Sequence, residues 1–330
     1  MSDVAHRAGV SAATVSRALN NHPTVHPELV ERVRQAATEL GYQPNRVARS
    51  LRRRAGSVWA LVISDIENPF FTSVARGVED VALQSGYSVV LCNTDENLAR
   101  ERRYLDVVLA EQAAGVVIAP ASDRTDISLL RDHGVPAVTI DRRIHNVDVD
   151  SVVVDNFAGA KRAVIHLLEA GYERVACISG PAKLTTAVER RNGYVAALRE
   201  SGRGVDRRYI RQADYRVEGG YQAALELLEL TPPPDALFVA NNLMAAGAMR
   251  ALRERGLDVP EAIGVVGFDD SPWAPLMAPA LTIVEQPTYR LGTEAARLLL
   301  RRLRDPSAST EAVVLATELR VRESSRRPRP

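Results

Sequence analysis

The first twenty residues of the chain carry a pattern typical of two short helices joined by a tight turn. Val4, Ala5 and Ala8 would form the apolar side of a first helix, and Gly9 would end it. Ser11 then suits the N-cap of a second helix, because its hydroxyl can accept a hydrogen bond from an unpaired N–H of the first turn. We therefore predict a helix, a turn centred on glycine and a second helix.

The second helix has distinct apolar and polar faces. Val15 and Leu19 are four positions apart, so they share the inward face. The residues left for the outward face are Thr14, Ser16, Arg17 and Asn20. Two short helices, a tight turn and a polar outer face predict a helix-turn-helix unit, in which the second helix enters the major groove of DNA.

Two further segments follow before the sequence changes character. A third helix is predicted from about Pro27 to Leu40, since proline suits the first turn and Gly41 ends the periodicity. Its apolar stripe comprises Leu29, Val30, Val33, Ala36, Ala37 and Leu40. The basic segment Asn45–Arg54 has apolar residues at helical spacing but is too short to hold a helix alone in water. We expect it to become helical only against a partner.

The charge of the chain is concentrated at its N-terminal end. The 330 residues carry a net charge of only +1, yet residues 1–57 contain nine arginines and four acidic residues. The first part therefore carries +5 and the remainder −4. A basic first part on a mildly acidic remainder favours a nucleic-acid partner for the first part alone.

From Ser57 onward, short β-rich runs alternate with amphipathic helical stretches. The strand runs are Val58–Ile63, Ser88–Cys92, Gly115–Ala119, Ala137–Ile140, Ser151–Val154, Val175–Ile178, Ala236–Val239, Gly264–Gly267, Leu281–Val284 and Ala312–Val321. The helical stretches lie near 69–85, 98–111, 126–133, 157–170, 186–201, 217–229, 242–255 and 288–304. This alternation predicts two doubly wound α/β subdomains with parallel sheets covered by helices.

In doubly wound sheets a ligand binds at the carboxyl ends of the strands, so the residues after each run are candidates for a site. Phe70 and Phe71, beside Asn68, could stack on a sugar or a base, or pack the start of a helix. Asp141 and Arg142 could bind hydroxyl groups from two sides, or form a solvated surface pair.

The remaining candidates are polar side chains that could converge on the same site. Arg190 on a helix could direct its guanidinium into a cleft or lie at the surface. The others follow strand runs and are Asn241, Asp269 and Gln286. Together with the two phenylalanines they suit a monosaccharide better than a phosphate, because the chain lacks a glycine-rich phosphate loop.

The sequence offers little support for catalysis or export. No histidine has metal-ligand spacing with cysteines or acidic residues, and neither a nucleophile elbow nor a Walker loop is present. We therefore expect no metal, no cofactor and no enzymatic activity, although Asp141 or Asp269 could be imagined as a general acid or base. The absence of a signal peptide and of an 18-residue apolar run predicts a cytoplasmic protein without a membrane partner.

Several motifs resemble those of the lactose-repressor (LacI) family of bacterial transcription regulators. They are Asp3-Val4-Ala5, Ala8-Gly9-Val10-Ser11, Thr14-Val15-Ser16-Arg17, Leu19-Asn20, Gly41-Tyr42-Gln43-Pro44-Asn45 and Ala48-Arg49-Ser50-Leu51. The family usually has a few more residues before the first motif, so we expect either a shortened first helix or a start further upstream. The remainder resembles the periplasmic-binding-protein-like effector domain of that family.

The resemblance implies roles in DNA binding. Ala12, Ala13 and Arg17 would face the bases, and Arg17 could bind a guanine edge through two hydrogen bonds. Residues placed toward phosphates would be Ser11, Thr14, Ser16 and Asn20. The hinge helix of the family would comprise Asn45, Arg46, Ala48, Arg49 and Leu51. Leu51 would wedge between the central base pairs from the minor groove and kink the operator.

The resemblance also implies an effector site. The candidate set resembles the residues by which ribose-binding periplasmic proteins hold their pentose, and consists of Asn68, Phe70, Phe71, Asp141, Arg142, Arg190, Asn241, Asp269 and Gln286. Asn242 departs from the pattern, since the family commonly has aspartate there. A purine- or phosphoprotein-responsive regulator is the alternative within the family, and a sugar-binding module without a DNA role is the alternative outside it.

The expected protein is a homodimeric repressor that binds a near-palindromic operator and is released by a monosaccharide inducer. Residues 1–44 would form the helix-turn-helix domain, 45–56 the hinge helix and linker, and 57–330 the effector-binding and dimerisation domain. Within that last domain, about 57–156 and 288–315 would form an N-subdomain. About 157–287 and 316–330 would form a C-subdomain.

Overall fold

The structure is a computed structural model that describes residues 1–19, 24–42, 56–145 and 147–327. By its internal contacts the chain divides into two compact units, Met1–Gly56 and Ser57–Pro330. The basic segment Asn45–Arg54, predicted to fold against a partner, lies outside the described residues.

The first unit contains the predicted helices α1 (Ser2–Ala8), α2 (Ala12–Leu19) and α3 (Pro27–Glu39). Helix α1 ends at Gly9, whose φ of 62° lies in the left-handed region that glycine adopts without strain. Ser11 caps α2 as predicted, since its Oγ accepts a 3.1 Å hydrogen bond from the amide of Thr14. The helix-turn-helix expected from the sequence is present.

The core of this unit is small and rich in alanine. Its buried residues are Val4, Ala5, Ala8, Val15, Ala18, Val33, Ala36 and Ala37. Four side chains of the predicted apolar faces differ from the prediction. Leu19, Leu29 and Val30 are only partly buried, and Leu40, just after the end of α3, is 48% exposed. An ion pair of 2.7 Å between Arg7 and Glu39 joins α1 to the end of α3.

The second unit contains two sheets of identical strand order. The N-terminal lobe is built on β1 (Val58–Ile63), β2 (Ser88–Asn93), β3 (Gly115–Ile118), β4 (Ala137–Ile140), β5 (Asp150–Val154) and β11 (Ala312–Leu315), in the order β11-β5-β4-β3-β1-β2. The C-terminal lobe is built on β6 (Val175–Ser179), β7 (Ile210–Gln212), β8 (Ala236–Val239), β9 (Gly264–Phe268), β10 (Thr282–Glu285) and β12 (Glu318–Arg320), in the order β12-β10-β9-β8-β6-β7.

The helices lie close to their predicted bounds. They are α4 (Pro69–Gln84), α5 (Leu98–Ala110), α6 (Ser128–Asp132) and α11 (Thr288–Arg304) in the N-terminal lobe, and α7 (Asn156–Glu169), α8 (Thr185–Glu200), α9 (Val217–Leu228) and α10 (Asn242–Glu254) in the C-terminal lobe. None of the helices in the described residues combines the length and apolarity needed to cross a bilayer.

The structure corrects the strand prediction at two places. Strand β7 was missing from the prediction because Ile210-Arg211-Gln212 contains a single apolar residue. The run Ala312–Val321 was expected to be one strand, but it forms two strands in different sheets. Its first part, β11, is parallel to β5, whereas β12 is antiparallel to β10. Between them Thr317 is fixed by 2.6 Å hydrogen bonds from Arg162 to its carbonyl and hydroxyl oxygens.

Helix pairs pack closely on each sheet because glycines remove the side chains between them. An added Cβ at Gly77 of α4 would lie 2.3 Å from the carbonyl oxygen of Tyr289 in α11. In the C-terminal lobe an added Cβ at Gly193 of α8 would lie 2.4 Å from the carbonyl oxygen of Phe157 in α7. These distances leave no room for a methyl group, so glycine fixes the separation of both helix pairs.

Candidate functional site

A cavity lies between the two lobes, at the carboxyl ends of their strands. This is the position at which doubly wound sheets bind ligands. The N-terminal lobe lines it with Asp65, Asn68, Phe70, Phe71, Glu96 and Asp141. The C-terminal lobe lines it with Thr186, Arg190, Tyr215, Arg216, Asn241, Asp269 and Gln286.

Two carboxylates occupy equivalent places in the two lobes. Asp141 follows β4 and Asp269 follows β9, with φ values of 68° and 71°. Each residue donates its N–H in a 2.9 Å hydrogen bond to the next strand, to Val152 in one lobe and to Val284 in the other. Both side chains are more than nine-tenths buried. The common topology thus brings one carboxylate from each lobe to the cavity.

Burial dominates the protonation of these two carboxylates. Loss of solvent raises the pKa of Asp141 to about 6, although Arg142 and Arg190 oppose the shift. Burial likewise raises the pKa of Asp269, while Arg190 and a hydrogen bond from Gln286 lower it. The two groups therefore hold a proton more readily than solvated carboxylates do.

Arg190 is held by four contacts, one of them to the carboxylate of Asp269. Its Nε donates to Oδ1 of Asn156 at 2.8 Å, and its Nη1 donates to the carbonyl oxygen of Ala240 at 2.7 Å. The guanidinium carbon lies 3.8 Å from the centroid of the Phe268 ring, and Nη1 lies 3.5 Å from Oδ2 of Asp269. These contacts hold the Arg190 guanidinium in one orientation without a ligand. Ligand binding therefore costs less side-chain entropy.

The asparagines of the site also cap helices. Oδ1 of Asn68 accepts from the amide of Phe70 at 3.0 Å, and Oδ1 of Asn241 accepts from the amide of Met244 at 2.8 Å. The neighbouring Asn242 donates its Nδ2 to Oδ1 of Asn68 at 3.0 Å and so joins the lobes. An ionised aspartate at position 242 would have no hydrogen to donate, so this bond depends on the side-chain amide.

Phe70 and Phe71 both pack and line the site. Each is 4% exposed, and the rings meet edge to face with centroids 4.9 Å apart. They belong to the apolar core of the N-terminal lobe and also border the cavity. The packing interpretation of the sequence is therefore confirmed, and stacking on a ligand stays a prediction.

Gln286 presents an unpaired acceptor at the cavity. Its Nε2 donates to Oδ1 of Asp269, which fixes the orientation of the amide. Its Oε1 is buried and finds no donor among the described residues. Because buried acceptors are nearly always hydrogen-bonded, this oxygen suits a ligand hydroxyl or N–H group.

Arg142 was predicted to contact the effector, but it lies outside the cavity lining. Its guanidinium is buried and donates to Oγ of Ser64 and to the carbonyl oxygen of Pro120, both at 3.0 Å. It also holds both carboxylate oxygens of Glu96, at 2.7 and 2.6 Å. Its Nε also lies 3.2 Å from Oδ2 of Asp141, so Arg142 supports two residues of the lining, Glu96 and Asp141, from behind.

Some lining residues were not predicted from the sequence. Asp65 and Glu96 follow β1 and β2, so the rule that strand ends carry ligand contacts could have found them. Tyr215 and Arg216 follow β7, and the sequence gives them little signal because β7 itself has a weak pattern. Thr186 lies in the first turn of α8.

The predicted DNA-reading face of α2 is accessible in the first unit. Ser11, Ala12, Ala13 and Arg17 are exposed. Thr14 and Ser16 are partly exposed. The remaining predicted DNA contacts lie outside the described residues and are Asn20, Asn45, Arg46, Ala48, Arg49 and Leu51.

The described ranges hold no arrangement suited to a metal, since no group of three or more His, Cys, Asp or Glu residues converges there. Cys92 and Cys177 are both buried thiols.

Comparison with known proteins identifies both parts of the chain. Residues 1–45 match the bacterial regulatory proteins of the lacI family, and residues 164–325 match the periplasmic binding protein-like domain. A ribose operon repressor from Halalkalibacterium halodurans is 38% identical over 98% of this chain and 96% of the relative. This chain is a member of the LacI family. It is accordingly a DNA-binding transcription regulator rather than an enzyme, as the sequence predicts.

Solved structures of family members support the same fold for this LacI-family regulator. The lac repressor dimer bound to operator and the anti-inducer ONPF has a TM-score of 0.87 and 28% identity, with 98% of both chains covered. A complex of the transcriptional regulator CelR with cellobiose has a TM-score of 0.77 and 34% identity, also with 98% of both chains covered. The predicted helix-turn-helix unit and two-lobe core are therefore confirmed.

Proposed function

We propose that this regulator is a homodimeric repressor of sugar-utilisation genes, and that a small neutral monosaccharide such as ribose binds between its lobes and induces release from a near-palindromic operator. The observation that carries the effector class is the lining of the cavity. Carboxylates from both lobes, a rigid guanidinium and an unpaired amide oxygen converge there with two aromatic rings.

This chemistry matches the hydroxyl groups of a sugar. Asp141 and Asp269 can accept hydrogen bonds from hydroxyls on opposite sides of the ligand, and Arg190 can donate to hydroxyl oxygens. Oε1 of Gln286 accepts one more hydroxyl hydrogen. The edges or faces of Phe70 and Phe71 can cover the apolar side of the ring.

The charge of the lining favours a neutral ligand over a phosphorylated one. Among the described lining residues, Asp65, Glu96, Asp141 and Asp269 carry four carboxylates, and Arg190 and Arg216 carry two guanidinium groups. With Arg142, which pairs with Glu96 and Asp141 from outside the lining, three guanidinium groups face four carboxylates, and all three are already paired. A phosphate would add negative charge to a site with an excess of it, where burial makes an unpaired anion costly.

The relatives support this class without fixing the sugar. The name of the ribose operon repressor links that protein to a pentose, whereas CelR was solved with a disaccharide. For DNA binding we propose that α2 enters the major groove, with Arg17 reading a base and residues such as Ser11 and Thr14 near phosphates. The segment around Leu51 would bind the minor groove.

The experiment combines two titrations of the full-length protein. Calorimetry with ribose, hexoses, ribose 5-phosphate and free purines measures affinity, and fluorescence anisotropy with an operator obtained by in vitro selection measures release. We expect a neutral monosaccharide to bind and to weaken operator binding. Preference for the phosphorylated sugar or for a purine would refute the effector class, and tighter operator binding would refute the inducer assignment.

A further inference from the structure

An arginine of the C-terminal lobe reaches two separate loops of the N-terminal lobe. Arg216 directly precedes α9, and its Nη1 donates to Oδ2 of Asp65 after β1. Its Nη2 donates to Oδ1 of Asp95 after β2. One guanidinium thus joins the lobes at two points beside the cavity that it also lines.

The two carboxylates bound by Arg216 have different surroundings. The side chain of Asp65 is 8% exposed, and its other oxygen accepts from the amide of Glu67 at 3.0 Å. Asp95 is 46% exposed and does not line the cavity. It also pairs with Arg100 of its own lobe at 3.2 Å. Substitution of Asp95 can therefore test the bridge without altering a ligand contact.

The loop that carries Asp95 is strained and held from both lobes. Asp95 and the following Glu96 have φ values of 56° and 55°, in a region that non-glycine residues rarely adopt. Such a conformation persists only where neighbouring contacts determine it. Arg142 holds Glu96 from the same lobe, and Arg216 holds Asp95 from the other.

We propose that Arg216 is a positioning residue that latches the lobes together through Asp65 and Asp95, and that it thereby slows the escape of the effector. Arg216 joins the lobes through ion pairs that include no ligand atom. Its effect on lobe closure can therefore be measured in ligand-free protein. Its effect on effector dissociation rests on the proposed sugar site.

The first experiment measures closure without ligand. Spin labels are placed at Arg103→Cys on α5 and Arg253→Cys on α10, which are exposed positions on different lobes, while Cys92 and Cys177 remain buried. Labelled full-length protein is diluted with excess unlabelled protein so that only pairs within one chain contribute. We expect Arg216→Gln to shift the interlobe distance distribution toward longer values. An unchanged distribution overturns the latch whether or not any sugar binds.

The second experiment measures effector dissociation by stopped flow with ribose as the probe. We expect Arg216→Gln to raise the dissociation rate about tenfold, since both bridges are lost. Asp95→Asn removes one exposed pair and should raise it about two- to fivefold. Asparagine tolerates the left-handed backbone at this position, so no new strain is added.

Two variants serve as matched controls. Arg100→Gln removes the same-lobe partner of Asp95, and Arg211→Gln removes a similarly buried arginine whose partner Glu226 is in its own lobe. Neither should change the dissociation rate. The double variant Arg216→Gln/Asp95→Asn should be no faster than Arg216→Gln alone. Independent effects of the two substitutions, or equal effects of the controls, would overturn the proposal.

Discussion

The two lobes have the same strand order but contribute different charges to the cavity. The N-terminal lobe lines it with Asp65, Glu96 and Asp141, whereas the C-terminal lobe supplies Arg190 and Arg216 together with Asp269. The common topology determines where the strand ends meet, and the side chains then make the two faces electrostatically complementary. The ion pairs between Arg216 and the carboxylates of Asp65 and Asp95 join these two faces.

Arg190→Ala should have the largest effect on this complementarity. The substitution leaves Asp269 buried without its guanidinium partner, so we expect a loss of about 3 kcal/mol or more in sugar binding, more than a hundredfold in Kd. Calorimetry measures the affinity, and anisotropy should show unchanged operator binding by the free protein. Arg199→Ala on the exposed side of the same helix is the control. A retained sugar response would exclude Arg190 from the site.

Asp141→Asn should change how stability depends on pH. The pKa of Asp141 in the folded protein is about 6, above its ordinary value of 3.8. The folded state therefore binds a proton that the unfolded state releases, and the resulting stabilisation disappears as the pH rises from about 4 to 6. The variant should gain about 3 kcal/mol in the free energy of unfolding relative to wild type across this window.

Urea denaturation at each pH measures this difference. Asp126→Asn is the control, because a hydrogen bond from Ser128 lowers the pKa of that exposed carboxyl and its difference from wild type should therefore stay nearly constant from about pH 4 to 6. A difference between wild type and Asp141→Asn that stays constant with pH would show that Asp141 is ionised throughout.

Gly77→Ala and Gly193→Ala compare the helix packing of the two lobes, which we expect to be equally close although the lobes contribute different charges to the cavity. Each adds a methyl group where a carbonyl oxygen of the adjacent helix stands, so each should cost about 2 kcal/mol of stability. Thermal or urea unfolding measures both variants. A large cost in one lobe alone would contradict equivalent packing.

Asn242→Ala should have the smallest effect. It removes the hydrogen bond to Asn68 across the cavity, and we expect a loss of about 1 kcal/mol in sugar affinity, roughly fivefold in Kd. Asn97→Ala is the control, since Asn97 caps α5 within its own lobe. If both variants bind sugar equally well, the bond across the cavity does not contribute to affinity.

Much of the fold follows from the apolar periodicity of the sequence. Helices such as α4 and α11 lie within one residue of their predicted bounds, because their apolar faces repeat at helical spacing. Strand β7 was not predicted, because it lies at the edge of its sheet, where a strand needs few apolar residues. Tyr215 and Arg216, which follow β7, were therefore not identified as candidate site residues.

The site was predictable wherever a single residue follows a clear strand. Asp141 and Asp269 are such residues, and both line the cavity. Arg142 pairs with Glu96 and Asp141 but is not among the residues that line the cavity, so its contact with a ligand stays a prediction. The bridge formed by Arg216 depends on loops of the other lobe, and no local pattern encodes such a contact.

The chain passes between the lobes at three places within the described residues, at 155, at 286–287 and at 316–317. The first and last passages lie side by side, since the amide of Asp155 donates to the carbonyl oxygen of Leu315 at 3.0 Å. With a single connection between them, the two lobes could rotate freely relative to each other. Three passages restrict that freedom, so the lobes cannot move as independently as two domains joined by a single connection.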